Sequence, residues 1–313
     1  MTPFFVLGSV RSGTTLLRLM LDHHPRLRCF GEFEYAIDLL DDPNTWPSGE
    51  RFAEWLSTER RFVASGLSVD PSSDYPTIAR GMFDAMISQS DDQPLVAGGA
   101  SVHRHFQRLS RLWPDAKFVY LYRDGRDVAR SCMQMGWAGN VWSGASFWEQ
   151  AEQDWERFRS VLRDDQWIEV RNESLVIDTP GELARICEFL GTQYDPDMLS
   201  YADETTYSLP DPGLVHQWRK KLTRQELQLL EARIGAKLRA RGYESSEVPP
   251  LTTGALTRTR LRIQNAAGKH RFRIKRYGVR LWAKELVARK LHLTAVAKSA
   301  KRETQAITVK YLK

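Results

Sequence analysis

The sequence predicts an α/β fold, a central parallel sheet flanked by helices in three layers, and three observations carry that reading. Short apolar runs at residues 4–7, 116–122 and 167–171 read as buried strands. Helical patterns lie between them, and strands alternating with helices argue for parallel pairing. The first run leads straight into a Gly-rich turn and an apolar helical segment at 16–21, a strand–loop–helix unit.

The turn is Gly8-Ser9-Val10-Arg11-Ser12-Gly13-Thr14-Thr15. It keeps the spacing of the phosphate-binding loop G-x-x-x-x-G-K-[ST], but Thr14 stands where that pattern needs lysine. The first N–H groups of a helix have no intrahelical partner and face any oxyanion placed there. Gly8 and Gly13 allow close backbone approach, and Arg11 supplies a permanently charged fork in place of the lysine. The loop therefore suits a phosphate or sulfate ester, and suits a nucleoside triphosphate with magnesium poorly. The bland alternative is a turn and cap with no ligand. Either way the fold is P-loop-like.

Pro25 to Tyr35 follows the first helix, then a helical stretch rich in Trp and acids, then a loop at Asp70-Pro71-Ser72-Ser73-Asp74. The second strand follows the turn at Pro114-Asp115. Thr179-Pro180-Gly181-Glu182 predicts a helix start with Thr179 as cap, and Gly191 ends that helix. Thr223-Arg224-Gln225-Glu226 repeats the capping box, and Gly242 closes the next helix. Residues 1–243 form the expected main domain, 244–257 a linker with Pro249-Pro250, and 258–313 a basic helical C-terminal extension.

A chain of 313 residues can bury roughly three quarters of its unfolded surface without stapling. Cys29, Cys132 and Cys187 are too few and unpatterned for a disulfide framework or a zinc site, which favours a reducing compartment. The first strand begins at residue 4, leaving no room for a signal peptide, and no apolar run approaches the roughly 18 residues of a spanning helix. A cytoplasmic location is expected, with peripheral contact to a membrane as an extension of it. The net charge of +6 hides an asymmetry. Residues 251–313 carry 17 Lys or Arg against Glu285 and Glu303, and the preceding 250 residues carry 28 basic against 37 acidic side chains. The basic balance belongs to the extension and says little about the ligand of the main domain.

A second anion site is suggested where the second strand ends in Tyr122-Arg123-Asp124-Gly125-Arg126-Asp127 before a helical segment holding Ser131. Open α/β sheets bind ligands at the carboxyl ends of their strands. Asp124 or Asp127 would cap the helix. The alternative is that Arg123 and Arg126 simply pair with Asp124 and Asp127.

Together these segments resemble the sulfotransferases that use 3′-phosphoadenosine 5′-phosphosulfate (PAPS). His24-Pro25, Pro114-Asp115-Ala116-Lys117-Phe118, Val170-Arg171-Asn172-Glu173-Ser174-Leu175, Cys187-Glu188-Phe189-Leu190-Gly191 and Trp218-Arg219-Lys220-Lys221-Leu222 extend the resemblance over residues 4 to about 243. It is closest to the tyrosylprotein and bacterial branch. The resemblance implies that Arg11, Ser12, Gly13, Thr14 and Thr15 hold the 5′-phosphosulfate, and that Arg123 and Ser131 hold the ribose 3′-phosphate. It implies that Trp218, Arg219 and Lys220 close over the nucleotide. The bland alternatives are a core tryptophan and a solvated charge pair.

It further implies an in-line sulfuryl transfer that leaves adenosine 3′,5′-bisphosphate, with Arg11 stabilising the leaving oxygen. Glu32, in Gly31-Glu32-Phe33-Glu34, is the expected base, with Glu34 in reserve because the register near Phe30 is ambiguous. One departure stands out. Many relatives carry a lysine shortly before the second strand, whereas this chain reads Val96-Ala97-Gly98-Gly99-Ala100-Ser101-Val102-His103; His103 or Arg104 is left to serve the leaving oxygen. No metal is expected. Two histidines at His103 and His105 lack a third ligand, and Asp22-His23-His24 is read as structural.

The expected acceptor is a hydroxyl of a carbohydrate, a lipid or a related molecule. Residues 36–95 and 132–160, rich in tryptophan, are the segments expected to form its pocket. In the extension, Phe272, Ile274, Tyr277, Leu281, Trp282, Leu286 and Leu291 recur at helical spacing among Arg and Lys. They pack on the main domain or meet a membrane surface, and nucleic acid is not expected. A small-molecule kinase and a nucleotide-binding protein without turnover are the competing functions.

Overall fold

The computed structural model describes residues 1–42, 44–88 and 95–291, and beyond them residues 296, 299–300, 303–304 and 307. Much of the extension past 291 thus lies outside the described residues. The chain divides into two compact units, Met1–Arg123 with Gln150–Val215, and Asp124–Glu149 with His216–Lys313.

The first unit is built on a five-stranded sheet of β1 (Thr2–Leu7), β2 (Leu27–Glu32), β3 (Ala97–Val102), β4 (Lys117–Tyr122) and β5 (Trp167–Arg171). The order is β2-β3-β1-β4-β5 and every pairing is parallel. The helices up to the middle of the chain are α1 (Thr14–Asp22), α2 (Gly49–Thr58), α3 (Arg60–Ser65), α4 (Tyr75–Ser88), α5 (Leu109–Leu112), α6 (Gly125–Gln134) and α7 (Val141–Arg159). After them come α8 (Asn172–Ile177), α9 (Thr179–Leu190), α10 (Tyr201–Glu204), α11 (Trp218–Lys221), α12 (Arg224–Ala240), α13 (Ala255–Tyr277) and α14 (Val279–Lys290).

Alternate strand residues serve opposite faces, as the two-residue period of a strand requires. Phe5, Leu7, Phe118 and Tyr120 pack with Ile78, Phe83, Trp113, Trp155 and Phe158. Phe4, Val6, Val119 and Leu121 pack with Leu17, Met20, Leu183 and Ile186. A sheet buried on both faces reads as apolar runs, which is why β1 and β4 are visible in the sequence.

Two strands carry no such run. β3 is Ala-Gly-Gly-Ala-Ser-Val, poor in strand formers, yet all six residues are buried between β1 and β2. Small residues fit there because the Phe4 ring lies where a Cβ on Gly99 would sit, 2.6 Å from the nearest ring atom. β2 ends with a register shift between Phe30 and Glu32, so its alternation is broken. The α9 cap also sits one residue earlier than expected: Asp178 accepts from the Gly181 N–H at 3.1 Å, while the Thr179 hydroxyl donates to Leu175 O. The capping box at Thr223 and Glu226 forms as expected.

In the second unit, Asn140 Nδ2 donates to Leu261 O at 2.8 Å and the Gly139 N–H to Asn265 Oδ1 at 2.7 Å, seating α13 on the turn before α7. The segment before it is tied to α12 through Ser246 to Glu231 and Leu251 N–H to Gln228 O. Among the described residues, no helix is long and apolar enough to cross a membrane.

Trp155 stacks on Tyr120 with centroids 4.4 Å apart and rings 2° from parallel, and its Nε1–H donates to Glu169 at 2.6 Å. Truncating a buried aromatic leaves a cavity, so Trp155→Ala should lower the unfolding free energy by roughly 3–5 kcal/mol. Urea unfolding at unchanged m-value is the check; a loss under about 1 kcal/mol would mean that this stack does not anchor the core.

Candidate anion-binding and catalytic site

The loop between β1 and α1 is shaped by close contacts on both flanks. Gly8 has φ 156°, and a Cβ there would lie 2.3 Å from Leu121 O on β4. Gly13 has φ 97°, and a Cβ would lie 2.3 Å from Asn172 Nδ2 at the start of α8. Between them Arg11 adopts φ 69°, an uncommon region for a residue with a side chain and one that clusters at functional sites. The Ser12 N–H closes the turn onto Ser9 O at 3.1 Å. No side chain caps α1. The Ser12 hydroxyl is fully buried and meets no hydrogen-bond partner among the described residues. Buried polar groups are rarely left so, and the first amides of a helix beside a buried hydroxyl are what a phosphate or sulfate ester needs. Thr14 is buried and Thr15 exposed on the first turn of α1.

Arg123 lies just past the carboxyl end of β4, which pairs directly with β1. Its Nη1 donates to Arg11 O at 3.4 Å, so the two arginines that the sequence placed in separate segments meet at one end of the sheet.

The two candidate carboxylates have different surroundings. Glu34 is 1% exposed. Its Oε1 accepts from the His103 backbone N–H at 2.9 Å and its Oε2 from Arg61 Nη1 at 3.0 Å, so both oxygens are committed to structure. Glu32, with its side chain 57% exposed, accepts from Arg61 Nη1 through Oε2 at 2.6 Å. Its Oε1 lies 4.0 Å from His103 Nε2. Arg61 also reaches Glu59 at 3.2 Å. Burial opposes the charge on Arg61, but Glu34, Glu59 and Glu32 outweigh it and hold the guanidinium above its ordinary range.

His103 follows β3 and bridges these groups to the loop. Its Nδ1 is 3.2 Å from Gly8 O; with a carbonyl as partner, Nδ1 carries the proton. In the neutral ring Nε2 is then an acceptor on the Glu32 side. Arg104 is engaged elsewhere, paired with Asp38 at 2.7 Å. Ser101, near the end of β3, has a buried hydroxyl with no hydrogen-bond partner among the described residues.

The other expected site residues belong to the second unit. Asp124 caps α6 and holds Arg126 by two side-chain bonds, of 2.9 and 2.7 Å. Arg126, 1% exposed, lies 3.6 Å from the centroid of the Trp218 ring, and the Trp218 N–H donates to Asp127 at 2.8 Å. Trp218 is itself buried, and its Nε1–H has no hydrogen-bond partner among the described residues. Arg219 lies 4.8 Å from that ring and pairs with Glu244, and Lys220 is exposed. Ser131 is half-buried on α6. Among the described residues no group of three or more His, Cys, Asp or Glu could hold a metal ion. Both ring nitrogens of His24 are used in bonds to Gln193 O and the Arg26 N–H.

The sequence carried no sign of Arg61, which is one arginine among many on a short polar helix. Asn172 lies in a segment whose sequence carries no signal of this contact beyond the family resemblance. The Asp124-to-Arg126 clamp was foreseen as the bland alternative for that pair.

The sulfotransferase family model matches residues 3–196, more than half of the 313. Protein-tyrosine sulfotransferase A of Caenorhabditis elegans is 26% identical over 209 residues, 64% of this chain and 53% of that protein, so the match spans about half of the relative. Human protein-tyrosine sulfotransferase 1 is 28% identical over 132 residues, 42% of this chain and 34% of its own length. Among solved structures, the sulfotransferase domain from the curacin biosynthetic pathway superposes with TM-score 0.56 at 20% identity, covering 78% of this chain and 99% of that one. The sulfotransferase domain of the Synechococcus PCC 7002 olefin synthase gives 0.54 at 21% identity, covering 78% and 95%. These likenesses support the fold, and with the family match they establish that this chain belongs to the sulfotransferase family.

Proposed function

We propose that this protein moves a sulfuryl group from PAPS to a hydroxyl-bearing acceptor. The observation that carries the reading is the loop at Gly8 to Thr15, with its uncapped helix start and uncommitted Ser12 hydroxyl, lying against Arg123. The donor supplies an activated sulfuryl group on a phosphate leaving group. The chain's part is to bind, align and neutralise, because such transfers pass through a loose transition state governed by positioning and electrostatics. The loop amides, Ser12, Thr14, Thr15 and Arg11 are assigned to the phosphosulfate. Arg123 and Ser131 are assigned to the ribose 3′-phosphate by resemblance, as are Trp218, Arg219 and Lys220 to the nucleotide. Carbohydrate and lipid alcohols remain the acceptor classes expected from the sequence; the tyrosine phenol carried in the relatives' names stands beside them.

Glu32 is the proposed base. Arg61 fixes one of its oxygens and leaves the other toward His103, whereas both oxygens of Glu34 are already used. His103 is a second reading for the same role, favoured by the Gly8 carbonyl, which settles the proton on Nδ1 and leaves Nε2 able to accept. A kinase is disfavoured by Thr14 in the lysine position. Stabilisation by adenosine 3′,5′-bisphosphate in a thermal shift, and none by ATP with magnesium, is the expected distinction; the reverse pattern would favour the kinase.

Arg11→Ala should lower turnover by roughly 10²–10³ while the protein stays folded, the usual cost of removing a donor to developing charge. Unchanged turnover would exclude Arg11 from the leaving-group role. Glu32→Gln should bind the bisphosphate normally and lose about 10²–10⁴ in rate, the range of general-base contributions. Full activity in Glu32→Gln with loss in His103→Asn would transfer the role to the histidine, and full activity in both would sink the proposed base chemistry.

A further inference from the structure

The extension carries a surface that the sulfuryl-transfer reading leaves unused. α13 contains no acidic residue over its 23 positions. One stripe of it faces the second unit. Leu261 is 5% exposed, Asn265 accepts from the Gly139 N–H, Gly268 abuts Gly139 and Phe272 covers Gly136. Leu261, Asn265, Gly268 and Phe272 follow the spacing of one helix face. The opposite face holds Leu256, 88% exposed, and Ile263, 67% exposed, seven residues apart, with Ala266 and Ala267 also exposed. Cations border this apolar strip on both sides. By helical rotation Arg258, Arg262 and Lys269 fall on one border and Arg260 and Arg271 on the other, all exposed.

From this arrangement we infer that the outward face of α13 docks on an anionic lipid bilayer. A helix lying in the plane of a membrane buries an apolar strip at the headgroup boundary and sets cations beside the anionic headgroups. The charge pattern decides among occupants. A second copy would bring one acid-free cationic face against another, at a repulsive cost. The chain beyond residue 291 has five Lys or Arg and one acid, so it is of like sign. Nucleic acid would satisfy the cations but strand Leu256 and Ile263 against a phosphate backbone, and His270, the next residue of that row, already accepts from Trp282 Nε1–H at 3.0 Å. The proposal is independent of the sulfuryl-transfer reading.

The test is co-sedimentation of the full chain with phosphatidylcholine vesicles, with and without phosphatidylglycerol. Binding is expected only with phosphatidylglycerol, falling as salt is raised. The Leu256→Asp/Ile263→Asp variant should bind at least about tenfold more weakly, as should Arg260→Glu/Arg262→Glu, with melting temperature and circular dichroism unchanged. Should the first variant fail to fold, the charge reversal alone decides. Failure to bind phosphatidylglycerol vesicles, or binding that neither variant weakens, would overturn the inference. So would displacement from vesicles by a short RNA duplex, which assigns the face to nucleic acid, or a dimer in light scattering that the first variant dissolves.

Discussion

The candidate site depends on how closely three segments approach the β1–α1 loop. Leu121 O sits where a side chain on Gly8 would be, and Asn172 sits where one on Gly13 would be. On a third side the His103 ring meets the Gly8 carbonyl at 3.2 Å. Each contact comes from a different strand end: β4, the β5–α8 junction and β3. A loop pinned in this way keeps its amides in place before a ligand arrives, and preorganised donors avoid reorganisation when charge develops. Arg11 is held in a left-handed conformation within that frame, and its carbonyl accepts from Arg123. The parallel order β3-β1-β4 is therefore the structural condition for this loop geometry, since it brings those strand ends side by side.

The same order explains the division of labour between the carboxylates. Glu32 and Ser101 are opposite each other across the β2–β3 ladder, just past the irregularity at Phe30, which turns Glu32 toward solvent. Glu34, two residues on, is drawn under the His103 N–H and Arg61. A buried carboxylate is tolerable only when its oxygens are bonded, and Glu34 meets that condition twice. Arg61 then serves two ends: it neutralises Glu34 and orients Glu32. Removing its charge would leave Glu34 with an unmet oxygen in a buried place, so one guanidinium settles the placement of both carboxylates.

Much of the architecture was legible because β1, β4 and β5 advertise themselves. Phe-Phe-Val-Leu and Lys-Phe-Val-Tyr-Leu-Tyr can only be buried strands beside helical patterns, and the Gly8 and Gly13 spacing located the loop. β3 was not legible. Its Ala, Gly and Ser residues carry no strand propensity of their own, and they form a strand because Phe4 and Ile87 occupy the space their side chains would fill. In the candidate site, Arg11, Arg123 and Glu32 are the residues that spacing and resemblance point to, and their roles are proposals. Arg61 was not, since its role comes from tertiary placement across from β2 rather than from any local pattern. Trp218 could be named but not oriented: only the folded chain reveals Arg126 against its ring.

Net charge misleads about where this protein meets anions. The first 250 residues carry nine more acids than bases, yet the loop suited to an ester lies within them. At physiological salt a surface charge is screened beyond about 8 Å, so the distant acids weigh little at the loop, while amides and guanidiniums in contact act at full strength. Most of the acids near the site are also neutralised locally, as Glu34 and Glu59 are by Arg61. The extension is the opposite case. Its cations are numerous and exposed, and the neutralised pair of Arg273 with Glu285 of α14 lies ten residues beyond Ile263 along α13. Short-range fixed donors suit a small ester in one place, and a dense exposed cationic face suits an extended anionic surface in the other.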